Sequence, residues 1–538
     1  MWRMATRTSR QSAAKTAQTD DVTSYVDEAR QALRNADPND VERWQQTYET
    51  GLSEAYRRKD FQGLATIAMF GATALHEQGL HHEAVQQLHF AATMAQKNAT
   101  AAAYVLSLRA VYEALLGETA TAMATIDEAR PFIAQADDRG RLGGLTYEAC
   151  VSAIALSSNA YADLASPVTE ADMSGYDWMS SALRCWLIAL QVARGDWRAS
   201  QPWTESLRIQ AETVNHPARR VDAVAFDLAN HVLSGQLPES ETLEVAIERG
   251  RETNNLIALQ RLLALRLRRA VLTGTPSEHD ADELDAVVAR LDPAFRDGAT
   301  GYRALIAAYL GESIEVLNPP TQLTLVNLGA VLAAMEAVAL AGTQTNAVEW
   351  LRWSEDHFPA HIETSVEWPV SKLRVMGLLN LRAGSPVSGV ALLRRAQAWG
   401  EAHGYRAEAA LARVVLGEAL THGDIREQKA GEQRAARREG WQALEALGLP
   451  PVVHSYAATR ALALRKDDER SPRLTPQETR VMALLAQGMS YRQIGTELGI
   501  SWRTAQLHAN HIYSKLGASG KMHAAELARE LRVLPGTA

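Results

Sequence analysis

Apolar residues recur at three- and four-residue intervals along almost the whole chain, in stretches such as LRAVYEALLG and LARVVLGEALTHG. That is the period of an amphipathic helix, and the two-residue alternation of strands is essentially absent. Turn signals close these stretches at Gln78-Gly79, Leu116-Gly117, Ser158-Asn159, Arg194-Gly195, Ser234-Gly235, Thr273-Gly274, Leu310-Gly311, Ala341-Gly342, Ala383-Gly384 and His422-Gly423. Counted between the glycines, with Ser158 for the third, the spacings are 38, 41, 37, 40, 39, 37, 31, 42 and 39 residues. A period near 39 predicts stacked helical hairpins, one per repeat. Small residues after the turns, Ala120, Ala124 and Ala129 or Ala84, Leu88 and Ala91, let each second helix approach its neighbours closely. The fold class expected is all-α, an α-solenoid.

The unit at Leu116-Gly117, followed by Ala120 and Ala129, resembles a tetratricopeptide repeat, with a longer period and a divergent consensus. The array is expected over 22–450, after a disordered tail at 1–21 rich in Ser, Thr, Arg and Gln. Pro450-Pro451 interrupts it. A helical linker at 451–471 follows, ending in the charged run 465–470, and then a last domain at 472–538.

Composition narrows the class. The chain is 46% hydrophobic and 22% charged, ordinary for a globular protein. Its two cysteines, Cys150 and Cys185, have no metal-ligand spacing, which excludes a disulfide framework and favours a reducing cytoplasm. The N-terminal tail has no apolar core of a secretion signal, and no run of 18 uncharged apolar residues exists, so no membrane partner is expected. Charge is unevenly spread. Residues 472–538 carry eight Lys or Arg against four Glu, a surplus of four, whereas the rest of the chain holds 47 basic and 59 acidic groups. A small basic module on an acidic body fits contact with DNA at one end.

Capping chemistry divides that module. Thr475-Pro476-Gln477-Glu478 reads as a capping box opening a helix with Val481, Leu484 and Leu485 inward, ending at Gly488. Ser490-Tyr491-Arg492-Gln493 is a second capping box, for a helix ending at Leu498-Gly499. Ser501 caps a third helix to Leu516-Gly517, and a fourth spans about 522–532. Two short helices joined by Leu-Gly-Ile-Ser are a helix-turn-helix, whose second helix enters the major groove.

Leu474-Thr475, Glu478, Gly488-Met489-Ser490, Ile494, Leu498-Gly499-Ile500-Ser501, Thr504, His508, Ile512 and Lys515-Leu516-Gly517 resemble the LuxR/GerE signature. The long helical array resembles that of large bacterial LuxR regulators. The resemblance implies a transcriptional regulator that binds double-stranded DNA as a homodimer; no enzymatic activity and no cofactor are expected, because no acid/base or metal constellation appears in the sequence. Helical spacing turns Ala505, His508, Ile512 and Leu516 inward and Arg503, Gln506, Leu507 and Asn510 outward as candidates for base edges. Ser490, Thr504 and Lys515 are candidates for phosphates. Gln506 stands where the family usually has lysine, and Ala505 where it has valine. By resemblance the last helix pairs two domains through Ala524, Leu527, Ala528 and Leu531; the competing reading is that it covers its own domain's core.

Other chemistry is not found. Gly517 to Met522 lacks the GxxxxGK[ST] spacing of a phosphate loop. His76-Glu77 and His81-His82 contain no HExxH and straddle a turn, so they read as surface histidines. No phosphoreceiver series or nucleophile elbow occurs. A solenoid usually binds its ligand on a concave surface lined by the first helix of each hairpin. Arg109, Arg266 and Arg303 lie eight residues before their turns, and Arg374 and Arg413 ten before theirs. Tyr112, Trp178, Trp186 and Tyr309 share these helices. Arg109, Arg266, Arg303 and Trp186 are thus candidates to hold an anionic effector, a peptide or a protein partner; solvated arginines and core aromatics are the alternative. Two functions follow: a factor gated by a signal in the solenoid, or a scaffold recruiting a protein partner without a small-molecule switch.

Overall fold

A computed structural model describes residues 41–157, 160–173, 177–213, 216–358, 371–422, 430–462, 476–516, 518 and 520–530. The tail 1–21, the turns at Asn159 and Gly423, Thr475, the charged run 465–470 and Leu531 lie outside these residues. Every regular element among them is a helix. In chain order they are α1 (Val41–Arg58), α2 (Phe61–Glu77), α3 (His81–Ala95), α4 (Ala99–Leu115), α5 (Thr119–Ile133), α6 (Asp138–Ile154), α7 (Ala160–Met173), α8 (Asp177–Arg194), α9 (Trp197–Thr213) and α10 (Pro217–Ser234). Then come α11 (Ser240–Glu252), α12 (Leu256–Thr273), α13 (Glu278–Val288), α14 (Pro293–Leu310), α15 (Leu328–Ala341), α16 (Gln344–His357), α17 (Lys372–Arg382), α18 (Pro386–His403), α19 (Arg406–His422), α20 (Ala430–Glu445) and α21 (Pro451–Leu462). The C-terminal group is α22 (Pro476–Ala486), α23 (Tyr491–Leu498), α24 (Trp502–Leu516) and α25 (Lys521–Glu530).

Short polar side chains start the helices. Asp60, Asn98, Asp137 and Asn255 each accept from the amide three residues on, at 2.9–3.0 Å. Left-handed glycines end them: Gly79, Gly117, Gly195, Gly235, Gly274, Gly311 and Gly384 all have φ between +71° and +94°. Gly342 departs from the expected pattern, being extended at φ −76°. Arg382, reaching over from α17, donates to Ala339 O at 2.9 Å and Leu340 O at 2.6 Å, so the last carbonyls of α15 need no left-handed turn.

Consecutive helices pack antiparallel, and the first helix of each hairpin also packs on the first helix of the next, as α4 does on α6. First helices are buried nearly all round, with Ala101 to Ala114 of α4 almost continuously so, while second helices bury one stripe. The 31-residue spacing marks a hairpin without its second helix. An irregular stretch over 311–327 takes that place and turns inward. Leu317 O accepts from Trp350 Nε1 and Asn346 Nδ2, each at 2.8 Å, and Leu325 N–H donates to Ile154 O at 2.9 Å.

The solenoid winds back onto itself. Hydrogen bonds join residues 182, 205 and 211 positions apart, about five hairpins. The seam runs through the glycine turns: Gly79 packs on Leu291, Gly235 on Arg406 and Ala407, and Gly274 on Pro450 and Val453. Asp292 N–H also donates to Gly79 O at 3.2 Å. Winding narrows the open concave surface expected from the repeat to a partly open chamber of about 360 Å³ between α2, α8, α10, α12, α14 and α15.

Ion pairs hold this interior. Arg374 and Arg268 face Glu336 and Glu408 at 2.6–3.1 Å, joining α12, α15, α17 and α19. Burial alone would raise the Glu336 pKa, but Arg374 and Arg268 overrule it and hold this carboxyl well below its usual range. His454 of α21 donates through Nε2 to Leu272 O at 2.9 Å. Burial pushes its pKa down to about 4.

Two expectations follow. Alanine at Gly79 must adopt φ +71° with its Cβ 2.0 Å from Leu291 Cδ2, whereas at Gly117 the nearest atom is the end of Gln322 at 3.9 Å. Gly117→Ala should therefore cost about 1–2 kcal/mol and Gly79→Ala roughly 2–5, read by chemical denaturation. Unfolded chain takes a proton on His454 near pH 6.5 and folded chain only near 4, so its stabilising contribution is full above 6.5 and fades as pH falls toward 4. The loss should reach about 3 kcal/mol. His454→Gln, which keeps a donor for Leu272 O, should flatten the melting-temperature profile between pH 7 and 5.

Candidate nucleic-acid interface

The C-terminal helices have their own core, separate from that of the array: Val481, Met482, Leu485, Ile494, Ala505, Ala509, Ile512, Ala524 and Ala525. The Ser490 box is complete. Its hydroxyl accepts from Gln493 N–H at 3.4 Å, and the Gln493 side chain accepts from Ser490 N–H at 2.8 Å. Gly499, at φ +65°, ends α23, and Ser501 Oγ accepts from Thr504 N–H at 3.0 Å to start α24. This short glycine-centred link sets α24 across α23 and leaves one of its faces bare.

Ala505, Ala509 and Ile512 fix which face that is, since all three are fully buried. His508 is half-buried, and Ala509 holds the core position expected for it, because the buried stripe follows 505, 509, 512. Arg503, Gln506, Leu507 and Asn510 are all exposed on the other side, Leu507 to 53%. Arg503 lies over the Trp502 ring, 5.4 Å from its centroid, so the bulky neighbour supports the cation. Thr504 is half-buried and shares its hydroxyl with Ser501 at 2.8 Å. The Ser490 hydroxyl is likewise engaged by Gln493, at 2.9 Å. The Lys515 side chain lies outside the described residues.

Sequence reasoning missed two residues. His511 is exposed four positions after Leu507, and Arg492 is exposed in the first turn of α23. The helical spacing that selected Leu507 also selects His511. Lys521, first met in a failed phosphate-loop motif, donates from Nζ to Gly488 O at 2.5 Å and Met489 O at 2.7 Å. It closes the end of α22 with a cation at the negative pole of the helix.

In the last helix, Ala524 is fully buried and Ala525 nearly so in the domain's own core. Ala524, expected at a partner's surface, is thus spent at home. The side chains of Leu527 and Ala528 lie outside the described residues. On the array side, the Tyr456 ring of α21 stands 5.0 Å from that of His523 in α25.

The arginines singled out in the array lie in ion pairs with carboxylates of their own or an adjacent helix. Arg109 meets Glu113 and Glu128, Arg266 meets Glu244, Asp280 and Glu283, Arg303 meets Asp282 and Asp285, and Arg413 meets Glu401. Of the four groove candidates, Trp186 alone lines the interior chamber. The Trp178 side chain lies outside the described residues. His76 and His81 are no surface pair: His81 is fully buried, and both belong to a hydrogen-bonded chain that ends on Asp292. Among the described residues no group of His, Cys, Asp and Glu is placed to hold a metal ion, and no helix is long and apolar enough to cross a membrane.

Comparison with known proteins agrees with this geometry. Residues 472–528 match the family profile described as bacterial regulatory proteins, luxR family, so the C-terminal domain is a LuxR-type helix-turn-helix. The chain is 37% identical over 85 residues to the transcriptional regulatory protein UhpA of Escherichia coli K12, covering 15% of this chain and 42% of the relative. It is 38% identical over 58 residues to the probable HTH-type transcriptional regulator GfsR of Streptomyces halstedii, covering 11% and 24%. To the transcriptional activator protein CarR of Pectobacterium carotovorum subsp. carotovorum it is 36% identical over 67 residues, covering 12% and 28%. The chain thus spans less than half the length of each of these relatives.

Proposed function

We propose that this protein is a DNA-binding transcriptional regulator whose helical array, of tetratricopeptide-like kind, governs the C-terminal LuxR-type domain. The observation that carries the reading is the bare face of α24. Arg503, Gln506, Leu507 and Asn510 stand exposed on a helix held rigidly by its buried alanines and Ile512. Arg503 supplies a fork for the two acceptors of guanine, Gln506 and Asn510 amides match adenine, and Leu507 offers an apolar surface to a thymine methyl. Ser490, Thr504 and Lys515 are the proposed phosphate contacts, which fix register and carry no sequence information.

Two such domains on one duplex, paired through Leu527, Ala528 and Leu531, would read half-sites about one helical turn apart. Control by the array rests on α21, which packs on α14, α15 and α17 and brings Tyr456 against His523. A shift in those helices is therefore felt at the last helix of the output domain. An effector held in the array, small molecule, peptide or protein, acts through that path.

Footprinting on a bound promoter tests the reading face. Arg503→Ala and Asn510→Ala should each cost about 1–3 kcal/mol of specific binding and leave helicity and melting temperature unchanged. A double variant with an undiminished footprint would overturn the assignment. Gln506→Lys, which restores a cation, should tighten nonspecific binding and steepen the log–log salt slope by about 0.9. An unchanged slope places residue 506 away from the backbone.

A further inference from the structure

The wound array holds a cavity of about 360 Å³, partly open to solvent and far larger than the water-sized voids usual inside proteins. Its volume lies in the range of small-molecule sites, and its wall is mostly Ala, Leu, Val and Ile from the first helices of the hairpins. Ala193 and Ala264 are half-buried and line this space.

The wall's charges are already matched. Arg268 is paired with Glu336 and Glu408, which also hold Arg374. Arg261 and Arg219 share Asp222 at 3.3 and 3.0 Å, and Glu77 adds its field to Arg219. An ionised ligand would enter this low-dielectric space with no free counter-charge, at the cost of an existing pair.

Uncharged polar groups, by contrast, stand open. Gln260 and the Tyr302 hydroxyl line the chamber without a hydrogen-bond partner among the described residues. His76 lines it as well, and its state follows from its neighbours. The Asp292 carboxylate, which also accepts from His81 N–H and from His82 N–H at 3.3 Å, accepts the hydrogen bond of His81 Nδ1–H at 3.1 Å. His81 Nε2 is then the acceptor for His76 Nδ1–H at 2.9 Å. That leaves the lone pair of His76 Nε2, on an imidazole that burial keeps neutral. Beyond His81, the His76 side chain has no other hydrogen-bond partner among the described residues.

We propose that the chamber is the effector site of the regulator and takes an uncharged, mostly apolar small molecule with at least one hydroxyl or N–H donor for His76. This deepens the reading of the array as a control domain and rests on it. The chamber is coupled to both structures that a ligand would need to move. The His76–His81–Asp292 chain ends at the seam, where Asp292 also bonds Gly79. Leu272, in the chamber wall, holds His454 of α21.

The test titrates the full chain with N-phenyl-1-naphthylamine, an apolar arylamine with one N–H donor, and reads its fluorescence. Saturation at one equivalent is expected. The same skeleton bearing a sulfonate, 8-anilino-1-naphthalenesulfonate, should bind about tenfold more weakly or worse, because a buried charge stays unpaired. The N-methyl derivative, lacking the donor, should bind about fivefold more weakly. Ala193→Phe and Ala264→Phe fill the space and should each abolish saturable binding. On the unaltered protein, the neutral probe should slow amide hydrogen exchange in α8 and α12, a readout that holds even if a filled variant misfolds. Binding that survives both phenylalanines in folded protein, tighter binding of the sulfonate, or protection confined to other helices would overturn the proposal. No DNA enters these measurements, so their failure and a failure of the DNA-binding reading are separate results.

Discussion

The structure depends on one constraint: each turn of the solenoid must lie directly on the next. Gly79 and Gly274 meet that constraint twice over, since a left-handed residue is needed to end each helix and a Cβ would clash with the following turn; Gly235 meets it through its left-handed backbone, in contact with Ala407. Because the turns touch, the first helices face one another across a narrow axis. That produces an interior where a looser winding of the same hairpins would leave an open trough.

Closing such an axis buries groups that an open solenoid leaves in water. Arg374, Glu336 and their partners pay for it with a pairwise match across four helices that are distant in sequence. His454 and His76 stay neutral under the same burial, each held by a single hydrogen bond. The stretch over 311–327 fills the place of an absent helix and gives Trp350 Nε1 its acceptor, Leu317 O. Rigidity at the seam and space on the axis thus have one origin, and α21 carries both toward the C-terminal domain.

That domain follows a different logic. Its core is small and self-contained, and its helices are set by caps: the Ser490–Gln493 box, Gly499, Ser501 and the Lys521 bonds to the end of α22. Local chemistry suffices to place α24, and the residues left outward are those that packing does not need. Most of this was legible in the chain, because capping and the 505–509–512 stripe act within one helical turn of each other. His508 is instructive, since a one-residue rotation of the helix was enough to exchange it with Ala509.

What the sequence determined by itself was the kind of element and its rhythm: helices from the three-and-four spacing, hairpins from glycines near every 39th residue, and an output domain from its caps. Even the missing helix left a trace in the 31-residue interval. What only the tertiary structure decided was where each buried face finds its cover. Arg109, Arg266 and Arg303 look like a groove along their helices, yet each meets a carboxylate from its own or an adjacent helix. His76 and Asp292 are unremarkable until the winding joins them through His81. Periodicity records which side of a helix avoids water. The partner, about 200 residues away, follows from small rotations summed over five hairpins, and no single stretch of sequence carries that sum.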